Sequence, residues 1–149
     1  SDVLKFSMSI NKTESTSWVN WLGDNKIGIY PLDRFSVRVN ASWFPKEQHE
    51  LRIKFQTTVM ETETGVEWSA DTAGNLNSTE KPVAGFDLGQ VAFQIRYKYE
   101  ISPLSHFYAV YTRGGRHYED DDVSVGKIIS ETWDNPKEDR FTLKLRIKF

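Results

Sequence analysis

Phe141-Thr142-Leu143-Lys144-Leu145-Arg146-Ile147-Lys148-Phe149 closes the chain, and its alternation is complete. Successive side chains of an extended strand point to opposite faces. Phe141, Leu143, Leu145, Ile147 and Phe149 therefore share one face, and Thr142, Lys144, Arg146 and Lys148 share the other. One side of the ribbon is apolar throughout and the other polar throughout. The segment stops on an aromatic residue instead of fading into polar sequence, which marks it as the closing strand of a β-barrel in a membrane.

The same pattern recurs upstream. Leu4, Phe6, Met8 and Ile10 alternate with Lys5, Ser7, Ser9 and Asn11. Phe35, Val37, Val39, Ala41 and Trp43 alternate with Ser36, Arg38, Asn40 and Ser42; after a turn over residues 44–49 the chain returns as Leu51, Ile53, Phe55, Thr57 and Val59 against Arg52, Lys54, Gln56 and Thr58. These two strands make an antiparallel hairpin. Residues 91–101 form the most regular strand, and Ser102-Pro103-Leu104 turns it into a fifth, residues 105–113, whose apolar side is assigned to Phe107, Ala109 and Tyr111. Residues 12–34, 61–86 and 114–140 break the alternation and read as long loops, the first with a short hairpin around Gly23-Asp24-Asn25. Connections thus alternate long and short, as in bacterial outer-membrane barrels, whose periplasmic turns are short and external loops long.

Charge follows the same division. Lys5, Arg38, Arg52, Lys54, Arg96, Lys98, Lys144, Arg146 and Lys148 all fall on the polar face of strands, where they are expected to line a lumen, whereas most acids lie in the expected loops. Strands of about ten residues, rising roughly 3.3 Å each and tilted about 40°, cover about 25 Å vertically, the height of a barrel's outward apolar band. Phe35, Trp43, Tyr99, Phe107 and Phe141 stand at strand ends, where interfacial aromatic girdles occur. Lumen cations raise the local concentration of anions, unless acids of neighbouring strands pair with them. Trp18, Trp21, Trp68 and Trp133 fall in the expected loops, where they would either stack on sugar rings or anchor the loops by packing on one another.

Composition narrows the classes. A chain of 149 residues is one domain, and its apolar fraction of 38% suits strands of which only half meets lipid. No run of about 18 consecutive apolar residues is present, which excludes a helical membrane protein. Without cysteine there is neither a disulfide nor a thiolate metal site. The chain opens on Ser1 with no leader, which reads as a mature N-terminus or as a cut inside a longer protein. Six clear strands fall short of the eight of the smallest barrels, so the expectation is the cut, with the chain as the C-terminal part of a larger barrel, or else two more strands hidden in the loops.

No catalytic constellation stands out. His49, His106 and His117 have no metal-ligand spacing, and residues 119–122 (Glu-Asp-Asp-Asp) lack the spaced ligands and central glycine of a calcium loop. No nucleophile motif, phosphate loop or glycine-rich nucleotide motif appears, so neither an enzyme, a metal, a cofactor nor a nucleic-acid partner is expected. The triplets beginning at Asn11, Asn40 and Asn77 match the glycosylation signal, which carries no meaning in a bacterial barrel.

Residues 25–34 (Asn-Lys-Ile-Gly-Ile-Tyr-Pro-Leu-Asp-Arg), Trp43-Phe44-Pro45, residues 50–56, residues 94–105, Trp133-Asp134-Asn135-Pro136 and the closing strand together resemble the C-terminal region of an uncharacterised bacterial outer-membrane family, in which a domain similar to family 9 carbohydrate-binding modules precedes a β-barrel. The resemblance implies an outer-membrane location in a Gram-negative bacterium, lipid as a partner, an N-terminal domain in cis, and a link to glycan or polymer handling. It carries no catalytic residue, and sugar binding transfers to no position of this chain. The competing expectation is a soluble all-β module, lipocalin-like or a sandwich, binding carbohydrate or another ligand with its apolar face turned inward.

Overall fold

A computed structural model describes residues 3–120 and 123–148. The strands are β1 (Val3–Gly23), β2 (Lys26–Lys46), β3 (His49–Thr62), β4 (Gly65–Ala70), β5 (Leu76–Val83), β6 (Asp87–Ser102), β7 (Ser105–Glu119) and β8 (Pro136–Arg146), with a helix, α1 (Val125–Asp134), between β7 and β8. All strands belong to one antiparallel sheet. β3 and β4 follow one another along β2, and β5 and β6 follow one another in the next ribbon, so the eight strands make a meander of six ribbons. No described strand pairs with the outer edge of β1 or of β8. The fold is therefore all-β and antiparallel, and the sheet is open.

Register settles which side chains share a face, because directly paired residues point the same way. Phe6, Ala41, Ile53, Ile95, Tyr111 and Phe141 form one cross-strand row; Leu4, Trp43, Leu51, Tyr97, Ala109 and Leu143 form the next. Phe107, Ala109 and Tyr111 of β7 do lie on the apolar side, as the alternation suggested. Phe141 sits mid-band, not at a strand end, because β8 starts five residues earlier, at Pro136.

The expected long loops are largely ordered strand. Residues 12–34 continue the β1–β2 hairpin to a two-residue turn, where Asp24 (φ 46°) and Asn25 (φ 60°) both adopt the left-handed conformation such turns require. Residues 61–86 contain β4 and β5, and residues 114–140 contain the end of β7, α1 and the start of β8. The alternation fades there because the apolar side changes faces. Glu14, Asp33, Glu61, Asp87 and Glu119 occupy a single cross-strand row at the end of the apolar band. Beyond that row the polar face turns apolar, with Tyr30, Leu32, Phe86 and Leu88 buried beside Trp18, Met60 and Val83.

Two small cores result, one on each face. The Tyr30 ring lies over Gly28 and Gly65, where an added Cβ would overlap it at 2.5 and 2.7 Å. On the opposite face α1 packs on β6 and β7, with Ile128 and Thr132 fully buried. Gly89 and Gly115 admit it: a Cβ on Gly89 would collide with the Ile128 and Thr132 side chains at 2.4 Å, and one on Gly115 with the Thr132 carbonyl at 2.3 Å. Ser124 caps the helix by accepting a hydrogen bond from the Lys127 amide, and Asn135 ends it ahead of Pro136.

Candidate functional site

Both cores lie at the Gly89 end of the sheet, and from there toward the β2–β3 and β6–β7 turns runs a band whose apolar face is largely uncovered. Leu4 is 68% exposed, Phe6 64%, Phe141 65% and Leu143 59%, and Met8, Ile10, Trp43, Leu145 and Ile147 are also exposed. Each such side chain gains roughly 1.5–3 kcal/mol on leaving water. Left in water, this many forgo as much as the whole net stability of a typical domain, about 5–15 kcal/mol. The apolar face is not folded against a second layer, since α1 covers only the end near Gly89 and Gly115. In the row of Val91, Thr57 and Val91 are buried where Gly115 meets α1, so the uncovered band runs from the row of Phe93 to that of Tyr99, six residues or roughly 20 Å along the strands.

The opposite face carries the cations. Lys5 and Arg52 share a row with Arg96; Lys54 with Arg140; Lys98 with Lys144; and Arg146 lies opposite His106. Arg38 pairs with Gln56, whose side-chain oxygen accepts from its Nε at 3.5 Å. Lys148 lies just past β8, its amide donating to the Ser105 hydroxyl at 3.1 Å. Only part of this charge is balanced. Glu50 meets both Arg52 and Arg96, the latter at 3.5 Å, while among the described residues Lys5, Arg38, Lys54, Lys98, Lys144, Arg146 and Lys148 have no carboxylate at salt-bridge distance. The ammonium of Lys5 instead sits 5.9 Å from the Phe44 ring. Like charges thus accumulate on one face of five of the six ribbons, a field that attracts anions.

The four tryptophans are not in loops: Trp18 and Trp21 are on β1, Trp68 on β4 and Trp133 on α1. Trp18 packs on Tyr30 and Phe86, with ring centroids 6.1 and 5.9 Å apart, and so anchors a core. Trp133 lies edge-on to Phe93 at 5.8 Å. The Arg113 guanidinium stands 5.0 Å over the Trp133 ring, donates to the Trp133 carbonyl at 2.7 Å and pairs with Asp139 at 2.7 Å. It thereby satisfies a terminal carbonyl of α1 and ties the helix to β7 and β8. Trp21 stays exposed.

A second feature is acidic. The carboxylate row borders a cavity of about 650 Å³ to which Glu63 and Asp120 also contribute. Lys12 bridges the row's first members, 2.6 Å from Glu14 and 3.2 Å from Asp33, and these two carboxylates hold its own pKa above the ordinary value. Asp87 accepts the Val123 amide at 3.1 Å and is buried. Asp121 and Asp122, half of the acidic loop, lie outside the described residues, as does the terminal Phe149. His117 reaches Glu119 at 3.0 Å, His49 lies 2.6 Å from the Tyr97 hydroxyl, and His106 is on the basic face. Among the described residues no group of three or more His, Asp or Glu side chains is placed to hold a metal ion. None of the helix is long and apolar enough to cross a membrane, a statement that does not bear on strands.

Sequence reasoning missed α1 and the carboxylate row for different reasons. The helix had a local signal: Ser124 as cap, Val125, Ile128 and Ile129 at helical spacing, and Asn135-Pro136 as stop. The row had none, because its members are up to 105 residues apart (119 − 14) and meet only through register. Compared with protein-family models, with curated proteins and with solved structures, the chain matches none of them.

Proposed function

We propose that this chain is a section of a bacterial outer-membrane β-barrel that serves as a channel wall or membrane anchor. The observation that carries the reading is the uncovered apolar band on one face of the sheet, backed by an unbalanced basic face on the other. In hydrocarbon the first face needs no second layer, and the strands pair within the sheet except at the outer edges of β1, β5 and β8. Six ribbons fall short of the eight strands of the smallest barrels, and the free edges of β1 and β8 are where the remaining strands add. The basic face then looks into water and favours anionic solutes. The likeness to a family that carries a carbohydrate-binding-type domain ahead of its barrel extends the reading to glycan or polymer handling.

One observation favours the alternative, a soluble all-β ligand-binding module: α1 packs on the apolar face, as the start of a second layer would. Two measurements separate the readings. A barrel section floats with phosphatidylcholine vesicles in a density gradient and needs detergent to stay in solution. Its reconstituted pore prefers chloride over potassium. A chain that stays monomeric and folded without detergent sinks the membrane reading; cation preference sinks the role of the basic face.

A further inference from the structure

The basic face is not uniformly covered. In the row Arg38, Gln56, Ala92, Gly114, two neighbouring ribbons carry a methyl group and a hydrogen where the ribbons beside them carry long polar chains. The result is a pit that continues as a furrow along the sheet, about 450 Å³ on the side of Arg38, Lys54 and Thr112 and about 430 Å³ on the side of Arg116 and Lys137. Gly114 is not there to relieve crowding. A Cβ at that position would meet only the Val91 carbonyl, at an ordinary 3.5 Å, in contrast to Gly89 and Gly115, which α1 leaves no room to enlarge. The open floor thus has no packing role.

The rim of the pit is chemically one-sided. Among the described residues, none of Arg38, Lys54, Arg116 and Lys137 has a carboxylate at salt-bridge distance, and the one acid at the rim, Glu138, is already engaged by Arg140 at 3.2 Å. Asn40, Gln94 and Thr112 add amide and hydroxyl groups along one wall, in the row of Lys54. Arg38 and Lys54 are diagonal neighbours on adjacent ribbons, so their Cα atoms stand about 7–8 Å apart, the span that one tetrahedral oxyanion bridges between a guanidinium and an ammonium.

We infer that this pit is a discrete binding site for a multiply charged oxyanion of the phosphate class, free or carried by a small sugar, with Arg38 and Lys54 as its charged grip and the amides and Thr112 as flanking hydrogen-bond partners. Four cations without counter-charge favour a dianion over a halide. The two aromatic residues that border the pit, Phe55 and Phe93, belong by register to the opposite, apolar face, where Phe93 meets Tyr111 and Trp133, and this disfavours a neutral sugar held by stacking. The inference sharpens the anion preference proposed above into a located site, and holds whether or not the sheet crosses a bilayer.

Calorimetric titration of the folded chain in neutral detergent tests it, with inorganic phosphate, glucose 6-phosphate and glucose as probes and chloride as the background anion. Phosphate binds saturably and glucose does not; tighter binding of glucose 6-phosphate than of phosphate identifies a sugar-borne ligand, and equal binding identifies the free anion. The double variant R38Q/K54Q loses affinity by about tenfold or more, the scale of charge-assisted hydrogen bonds. G114Q and A92Q, which fill the pit and leave every charge in place, lose it as well, while K98Q/K144Q, which removes two cations of the same face outside the pit, retains it. Either of two results overturns the site: K98Q/K144Q weakening phosphate as much as R38Q/K54Q, or both filled variants, folded by circular dichroism, binding as the parent does. Both would leave only a diffuse field. Vesicle flotation of the same samples reads the membrane question separately.

Discussion

Adjacent glycines in β7 have opposite roles. Gly115 faces α1 and would drive a methyl group into the backbone of Thr132, which cannot yield without shifting the helix, whereas Gly114 faces the furrow and has space. Gly115→Ala is therefore expected to destabilise by about 1–3 kcal/mol, as overpacking does, and Gly114→Ala to stay within about 0.5 kcal/mol of the parent; urea unfolding of the two variants makes the comparison. At the tip of the β4–β5 hairpin, Asp71 accepts hydrogen bonds from the Asn75 side chain at 3.1 Å, the Asn75 amide at 2.8 Å and the Ala73 amide at 2.9 Å. Asn75 first, and then these backbone donors, hold the Asp71 carboxyl below its ordinary pKa. A depressed carboxyl stabilises the fold above its unfolded pKa, near 4, and that contribution is lost as pH falls through the lowered value. The difference between Asp71→Ala and the parent in hairpin melting, followed by nuclear magnetic resonance, should accordingly be full near neutrality and vanish in strong acid.

A strand such as β8 is two surfaces in one element. Leu143 and Lys144 are consecutive and both exposed, yet one belongs to the apolar band and the other to the basic face. On a soluble surface Leu143→Lys changes stability by no more than about 0.5 kcal/mol. On a lipid face near the middle of a bilayer it costs about 2–4 kcal/mol. We expect the second outcome, read as loss of vesicle flotation and of heat-modifiable gel mobility, while Lys144→Gln leaves both intact. α1 follows a different rule from the strands. Its hold depends on Arg113, which joins the end of the helix to Asp139 of β8, so the helix and the closing ribbon are coupled through one side chain.

Across the whole molecule the sheet is best held in the middle. β3 and β6 are paired along their lengths on both sides, while β1 and β8 have one neighbour each. Half of the backbone groups of each outer ribbon point away from the sheet, an arrangement that invites another strand. In the chain by itself, hydrogen exchange is expected to be fast at every second amide of β1 and β8 and slow throughout β3 and β6. In a closed barrel the outward amides of β1 and β8 become as protected as the rest. Uniform protection in the isolated chain, with no oligomer formed, would contradict the open sheet. The row of Glu14, Asp33, Glu61, Asp87 and Glu119 marks the boundary at which the apolar side changes faces, so charge and hydropathy switch together at one height of the sheet.

The amino-acid sequence alone determined the ribbons and their two-sidedness. Phe35 to Trp43, Leu51 to Val59 and residues 91–101 alternate so regularly that a one-residue slip would exchange the faces, and the observed pairing of Ala41 with Ile53 and Ile95 keeps them. It also determined which lysines and arginines would stand together, because period two assigns them before any pairing is known. What only the tertiary structure decided is what covers those faces and what meets across the sheet: Tyr30 closing over Gly28 and Gly65, α1 docked on Gly89 and Gly115, five carboxylates brought level, and a pit opened by Ala92 beside Gly114. The physical reason is range. Alternation is a property of neighbouring residues, whereas a row, a pit or a docked helix exists only once ribbons distant in sequence have chosen their register.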